Sequence, residues 1–283
     1  MKTARASALF LTDCMYRGLS PRTIEAYAWS IAKLRRHHAD LPTTTQPLTQ
    51  AIADLDLSPE SRHDVWRVLR TFYKWLAAHR HAKNVMRTVP PPRRHRTLPR
   101  TLDLSEITRV IAAAPTRRDR AMVAVALDTG IRLGELAGLR WHHVKAGTIH
   151  VDGKTGQRVV PLSNQVRTLL VGQGTSTHLW VGRKGPLQPT GVKQVFQRVL
   201  RRAGYRPPKA GPHMLRHTFG RHYIMAGGDV FSLQRIMGHA NVSTTMIYVH
   251  LDTTALERQH AKYSPLTTLD LIDTPLAHSK AGS

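Results

Sequence analysis

The stretch Gly211-Pro212-His213-Met214-Leu215-Arg216-His217-Thr218-Phe219 decides how the rest of the chain is read. It has the pattern of a helix beginning near Met214. His213 and Arg216 are three apart and share one face, while Leu215, Phe219 and Tyr223 supply the apolar side that anchors it. One face reaches out and the other holds. His213 and His217 are four apart, a spacing that suits a metal, but no Glu lies between them and no carboxylate or cysteine cluster is near. No metal is expected here, and no other cofactor.

Working outward, Leu233, Ile236 and Met237 form a packing face just before Gly238-His239, and Ser243-Thr244-Thr245-Met246-Ile247-Tyr248-Val249-His250 sets Tyr248 on an amphipathic helix. In the other direction, Thr129-Gly130-Ile131-Arg132-Leu133-Gly134-Glu135-Leu136 places an arginine after a glycine turn with a glutamate at i+3. Between them, glycine-flanked Lys154 marks the tip of a hairpin. Taken singly, each feature is commonplace: an Arg–Glu pair at a helix start, a solvated turn lysine, a tyrosine of the core or rim. Together they define a task. Two planar guanidinium groups can neutralise a phosphodiester as it becomes pentacoordinate. A tyrosine can attack it to give a reversible covalent phosphotyrosine. A lysine can protonate the departing 5′ oxygen, and histidines can take the phenolic proton or donate to a non-bridging oxygen.

Charge points to the same substrate. Across 283 residues, 42 Lys+Arg stand against 18 Asp+Glu, a net charge of +24. Such an excess implies a polyanionic partner, with nucleic acid ahead of an anionic membrane surface. The longest apolar run, Ala121 to Leu127, falls far short of the roughly 20 residues a bilayer requires. The segment Ala6 to Leu11 is interrupted by Ser7 and cut short by Asp13, unlike an export signal. A soluble cytoplasmic protein is expected. The single cysteine, Cys14, excludes intramolecular disulfides and reads as a half-buried helix residue.

The pattern along the chain is mainly α with one small β-sheet. Ser20-Pro21 and Ser58-Pro59 are helix starts, each followed by an apolar face, with Thr43 to Pro47 as connector and a shorter helix around Gln50 to Leu55. Residues 1–87 form this helical segment. Residues 88–102 read as a basic, proline-rich linker with little apolar material to pack, placed along a phosphate backbone or simply solvated. Asp103 and Glu106 then open a helix with a capping box, Gly130 closes the next, and Thr148–Val151 with Arg158–Leu162 predict a hairpin. The catalytic segment is 103–264. A C-terminal tail, 265–283, follows.

The order Arg, Lys, His-x-x-Arg, His, Tyr, in these local settings, resembles the tyrosine recombinases, also called the phage integrase family. The resemblance covers about Leu102 to Tyr263, and more weakly the helical segment before it, which looks like the family's core-binding domain. It implies a two-domain clamp around double-stranded DNA and a site-specific DNA recombinase needing neither metal nor ATP. Such an enzyme cleaves and rejoins strands through a 3′-phosphotyrosine and exchanges them via a Holliday junction. By resemblance, Arg132 and Arg216 clamp the scissile phosphate, Lys154 is the general acid, and His213 assists as acid or base. His239 hydrogen-bonds the phosphate and Tyr248 attacks, with Glu135, His217 and His250 as supports. Arg22, Arg93, Arg94 and Arg96 are the candidate DNA contacts. A homo-tetramer on DNA is implied, with accessory DNA-bending proteins as further partners, and the tail with Leu266, Leu269, Leu271 and Ile272 as the element that docks on a neighbour. The competing readings are a type IB topoisomerase-like enzyme, a telomere resolvase, and a non-catalytic DNA-binding accessory protein of the same fold.

Overall fold

The computed structural model describes residues 1–93, 99–153, 156–171, 176–206, 211–249, 260–262 and 264. The chain divides into two units, 1–97 and 98–283, each with its own core.

In the first unit, α1 (Thr3–Tyr16), α2 (Pro21–His37), α3 (Thr45–Ala53) and α4 (Pro59–Ala78) follow one another. The Ser20 and Ser58 hydroxyls accept from the backbone N–H groups of Thr23 and Ser61, and Pro21 and Pro59 occupy the first helical positions. Both prolines sit where a helix has no N–H bond to lose. The same reason corrects one expectation: Thr43 to Pro47 is not all connector, because α3 begins at Thr45 and holds Pro47 in its first turn, so the helix expected around Gln50 to Leu55 lies earlier. Phe10 packs on Phe72 and Trp75 with ring centroids 5.3 and 5.5 Å apart. Cys14 is fully buried beside them rather than half-buried. Val89 lies in the stretch expected to have little to pack, yet it is buried, and its carbonyl accepts from Trp66 Nε1 at 3.1 Å.

The second unit opens with α5 (Leu104–Ala112), where the Asp103–Glu106 capping box is present in both directions. Then come α6 (Arg117–Thr129) and α7 (Leu133–Ala137), followed by β1 (Val144–Lys145), β2 (Thr148–Gly153) and β3 (Gly156–Pro161). These strands form one antiparallel sheet in the order β1-β2-β3, with Ile149 opposite Val160 and Gly153 opposite Gly156. α8 (Asn164–Leu170) and a ribbon of β4 (Val181–Gly182) and β5 (Gly185–Pro186) were not expected, so the single small sheet becomes two. Two-residue strands carry no period from which to read them. α9 (Pro189–Arg202), α10 (Pro212–Met225), α11 (Val230–Met237) and α12 (Met246–Val249) complete the described elements. The helix expected from Ser243 is broken: a 3₁₀ turn at Val242–Thr244 precedes the short α12.

α6 is apolar nearly all round from Ala121 to Ala126, and a helix of that kind must be enclosed. α8 and α10 pack against it. The chain entering this unit is fastened to α10 at Leu102, whose side chain is fully buried. Leu102 N–H donates to Thr218 Oγ1 at 3.0 Å, Thr218 donates on to Met214 O, and the Leu102 carbonyl lies 2.8 Å from His222 Nε2. Thr218→Val keeps the shape but leaves the Leu102 N–H buried without an acceptor, so a loss of about 1–3 kcal/mol is expected. Denaturant unfolding checks it; a change below about 0.5 kcal/mol would mean that this bond carries no net stability.

Candidate active site

Two glycines in the left-handed region shape the site. Gly130, at φ 59°, ends α6, and a side chain there would run into the Phe219 ring. Gly238, at φ 66°, ends α11, with its own N–H bonded to Arg235 O and the His239 N–H bonded to Gln234 O. Those bonds are a Schellman closure. They leave the last α11 carbonyls, with their partial negative charge, facing the site.

Cations take up those carbonyls. Arg132, just before α7, donates through Nη2 to Gly238 O at 2.6 Å and through Nη1 to Glu135 Oε1 at 3.0 Å. Arg216, on α10, donates through Nη2 to Met237 O at 2.8 Å and through Nη1 to Gly130 O. The Arg216 side chain is buried. Its enclosure and the neighbouring Arg132 charge push its pKa down to about 10, which still leaves it protonated at neutral pH. The bonds named use two of the five N–H donors on each guanidinium, so each keeps donors for an oxyanion.

Tyr248, on α12, is 1% exposed, and its hydroxyl lies 3.0 Å from His217 Nδ1. Burial raises the phenol to about 12, against the opposing pull of the Arg216 charge. His239 Nδ1 lies 2.8 Å from Thr245 Oγ1. His213 is exposed near the start of α10. Of the two histidines in the motif, the one classed as a support reaches the tyrosine, because one further turn of α10 carries His217 inward. Lys154 and His250 lie outside the described residues, as do Arg94, Arg96 and the tail from 265. Arg22 and Arg93 are exposed in the first unit.

His217 and His239 are each held at about 4, below the ordinary 6.5, first by burial and then by nearby positive groups. The folded state therefore binds these two protons more weakly than the unfolded chain does. Their contribution to stability is complete above pH 6.5 and is lost as pH falls from there toward 4. The melting temperature is expected to drop between about pH 7 and about pH 4.5. The two ring signals should show no titration above about pH 5; a midpoint near 6.5 for either ring would mean that it is solvated.

One residue of the site escaped the sequence reading. Arg158 on β3 donates to both oxygens of Glu135, at 3.1 and 2.8 Å, and through Nε to Ile236 O at 2.8 Å. A signal for it exists: Arg158 shares a strand face with buried Val160, and an arginine at an inward position needs a carboxylate. Glu135 is nearly enclosed. Burial alone raises its pKa, but hydrogen bonds from Arg158 and Arg132 more than reverse this, so it stays below the usual carboxylate range. A cavity of about 660 Å³ lies alongside, between Gln157 and Arg158 on one wall and Gln234, Arg235 and His239 on the other. Among the described residues, no group of three His, Cys, Asp or Glu could hold a metal ion.

The model of the phage integrase family matches residues 100–255. The tyrosine recombinase XerC of Xylella fastidiosa (strain M23) is 32% identical over 274 residues, covering 88% of this chain and 92% of that protein. Among solved structures, a lambda integrase (75–356) dimer bound to a COC′ core site has a TM-score of 0.75 at 20% identity, covering 86% of this chain and 97% of that one. A lambda integrase tetramer bound to a Holliday junction has a TM-score of 0.74 at 20% identity, covering 85% and 78%. The chain belongs to the phage integrase family and is a tyrosine recombinase.

Proposed function

We propose that this protein is a site-specific DNA recombinase in which Tyr248 cleaves one strand of double-stranded DNA, leaving a 3′-phosphotyrosine and a free 5′ hydroxyl. The observation that carries this reading is the convergence of Arg132, Arg216 and Tyr248. Both arginines are held by carbonyls of the Met237-Gly238 turn, and the tyrosine is held by His217, the residue next to Arg216. Spare guanidinium N–H groups face the two non-bridging oxygens and stabilise the charge that builds as the phenolic oxygen attacks in line. Among the described residues, His217 Nδ1 is the hydrogen-bond partner of the phenol, and a neutral imidazole can accept its proton. Lys154 protonates the leaving 5′ oxygen. His239 hydrogen-bonds the phosphate, exposed His213 assists as acid or base, and Glu135 holds Arg132. The bond energy stays in the phosphotyrosine, so religation needs no ATP, and the two guanidinium groups supply the positive charge on the phosphate.

The +24 charge supplies the affinity for duplex DNA through the phosphate backbone. By analogy with the lambda integrase tetramer on a Holliday junction, four protomers bring two duplexes together and exchange strands through that junction. Arg22, Arg93, Arg94 and Arg96 contribute backbone contacts, the tail docks on a neighbouring protomer, and accessory DNA-bending proteins assist. No described helix is long and apolar enough to cross a membrane, and DNA in the cytoplasm is the proposed setting.

The test is covalent trapping. Nicked duplexes from DNA flanking the gene are mixed with the protein, denatured and examined for protein-linked strands. An adduct joined through the 3′ phosphate, with exchanged products from intact duplexes, supports recombination. Supercoil relaxation without exchange would make the enzyme topoisomerase-like. Binding with no adduct on any native site would make it an accessory protein.

A further inference from the structure

Three consecutive carbonyls at the end of α11 each accept from a different arginine: Ile236 from Arg158, Met237 from Arg216 and Gly238 from Arg132. One carboxylate, Glu135, serves two of the three. Arg132 and Arg216 belong to the phosphate clamp, which leaves Arg158 to be explained. Its side chain is 11% exposed, against 34% for Arg132, and its Nε, Nη1 and Nη2 are all engaged with protein acceptors. It is built to hold rather than to touch substrate.

What it holds follows from the geometry. Glu135 meets Arg158 through both oxygens, in the planar fork that only a guanidinium presents. The same two oxygens accept from Arg132, Oε1 from its Nη1 and Oε2 from its backbone N–H. A carboxylate so enclosed keeps its charge and its orientation only while both partners are present. With Arg158 gone, burial favours the protonated acid, and Arg132 loses the fixed acceptor that sets its rotamer. The hairpin is part of the same cluster: an added Cβ at Gly153 would lie 2.7 Å from Glu135 Oε1 and 2.9 Å from Arg158 Nη1. The backbone that leads into Lys154 therefore rests directly on the Glu135–Arg158 pair.

We propose that Arg158 is a positioning residue for strand cleavage: through Glu135 it fixes the guanidinium of Arg132 on the scissile phosphate, and through Ile236 it ties β3 to the α11 end that also holds Arg216. The kinetic side of this inference rests on the strand-cleavage reading above. The spectroscopic side does not.

The experiment compares the full chain with Arg158→Gln, Arg158→Lys, Glu135→Gln and the double variant Arg158→Gln/Glu135→Gln. Single-turnover adduct formation is measured on nicked duplex at saturating DNA, and the Arg132 Nε–H signal is followed in side-chain arginine NMR spectra. Arg158→Gln is expected to slow cleavage about 30- to 100-fold with DNA affinity within about 3-fold of the original. Arg158→Lys recovers part of the rate. The double variant is expected to be no slower than Glu135→Gln alone, since Arg158 acts through that carboxylate. The Arg132 signal, sharp in the original protein, broadens or moves in Arg158→Gln. Multiplying deficits, or cleavage that falls only in step with the folded fraction, would overturn the proposal, as would an unmoved Arg132 signal. If the original protein forms no adduct, the cleavage reading fails by itself, and the Arg132 signal still decides whether Arg158 positions it.

Discussion

Tyr248→Phe is expected to abolish the protein–DNA adduct while leaving DNA binding nearly unchanged. The substitution removes one atom, the phenolic oxygen, which in the proposed cleavage forms the bond to phosphorus. The same oxygen is the atom that lies 3.0 Å from His217 Nδ1, so the variant keeps the ring and loses both the proposed nucleophile and its hydrogen bond. Loss of a nucleophile in covalent catalysis costs on the order of 10⁴-fold or more, so adduct should fall below detection. Stability moves much less. The ring still fills its buried place beside Gly220, in the cluster of Ile224, Leu233 and Met237, and one hydrogen bond, to a half-buried histidine, is lost, about 1 kcal/mol. Gel-shift affinity, melting temperature and trapping on the same preparation separate these effects. An adduct that persists in Tyr248→Phe would assign the chemistry to another residue.

Arg216→Ala is expected to produce the second largest change, and here chemistry and stability compete. The guanidinium spans two carbonyls, Gly130 O and Met237 O, which join the α6 and α11 ends. Leaving each without that donor costs about 1–3 kcal/mol, partly offset because a buried charge beside Arg132 is also removed. In the proposed mechanism the cleavage step loses one of two clamping cations where charge develops, worth about 10³-fold or roughly 4 kcal/mol of barrier. The kinetic term should win: at a temperature where the variant stays folded, the single-turnover rate at saturating DNA falls about 10³-fold. Arg216→Lys restores a charge but cannot bridge both carbonyls, so only part of the rate returns. A rate that merely tracks the folded fraction would make Arg216 a structural staple.

The readable parts of the fold were those decided within one element. Ser20-Pro21, Ser58-Pro59 and the Asp103–Glu106 pair satisfy helix N-termini with residues at most three positions away, so their helices could be placed without tertiary knowledge. The hairpin was legible because two short β-type runs, Thr148–Val151 and Arg158–Leu162, flank a stretch with glycines at 153 and 156. β4, β5 and α8 were not, since two-residue strands and a seven-residue helix take their shape from what they pack against. Val89 and Leu102 looked like linker because apolar residues isolated among prolines and arginines show no period. Only the folded units supply the cores that bury them.

The site divides along the same line. By itself the sequence named the candidate inventory and the chemistry proposed for it: Arg132, Arg216, His239 and Tyr248 in settings expected to bring basic and nucleophilic groups to one phosphate, on a chain with a charge of +24. Spacing along α10 could not tell which histidine meets the tyrosine. The tertiary structure alone decided that His217 bonds Tyr248, that Arg158 shares Glu135 with Arg132, and that three arginines hold three successive carbonyls of one helix end. The reason is range. Periodicity and capping act across one or two turns, whereas Arg132 and Gly238 are 106 residues apart, and partners so distant are set by packing, which no local pattern encodes.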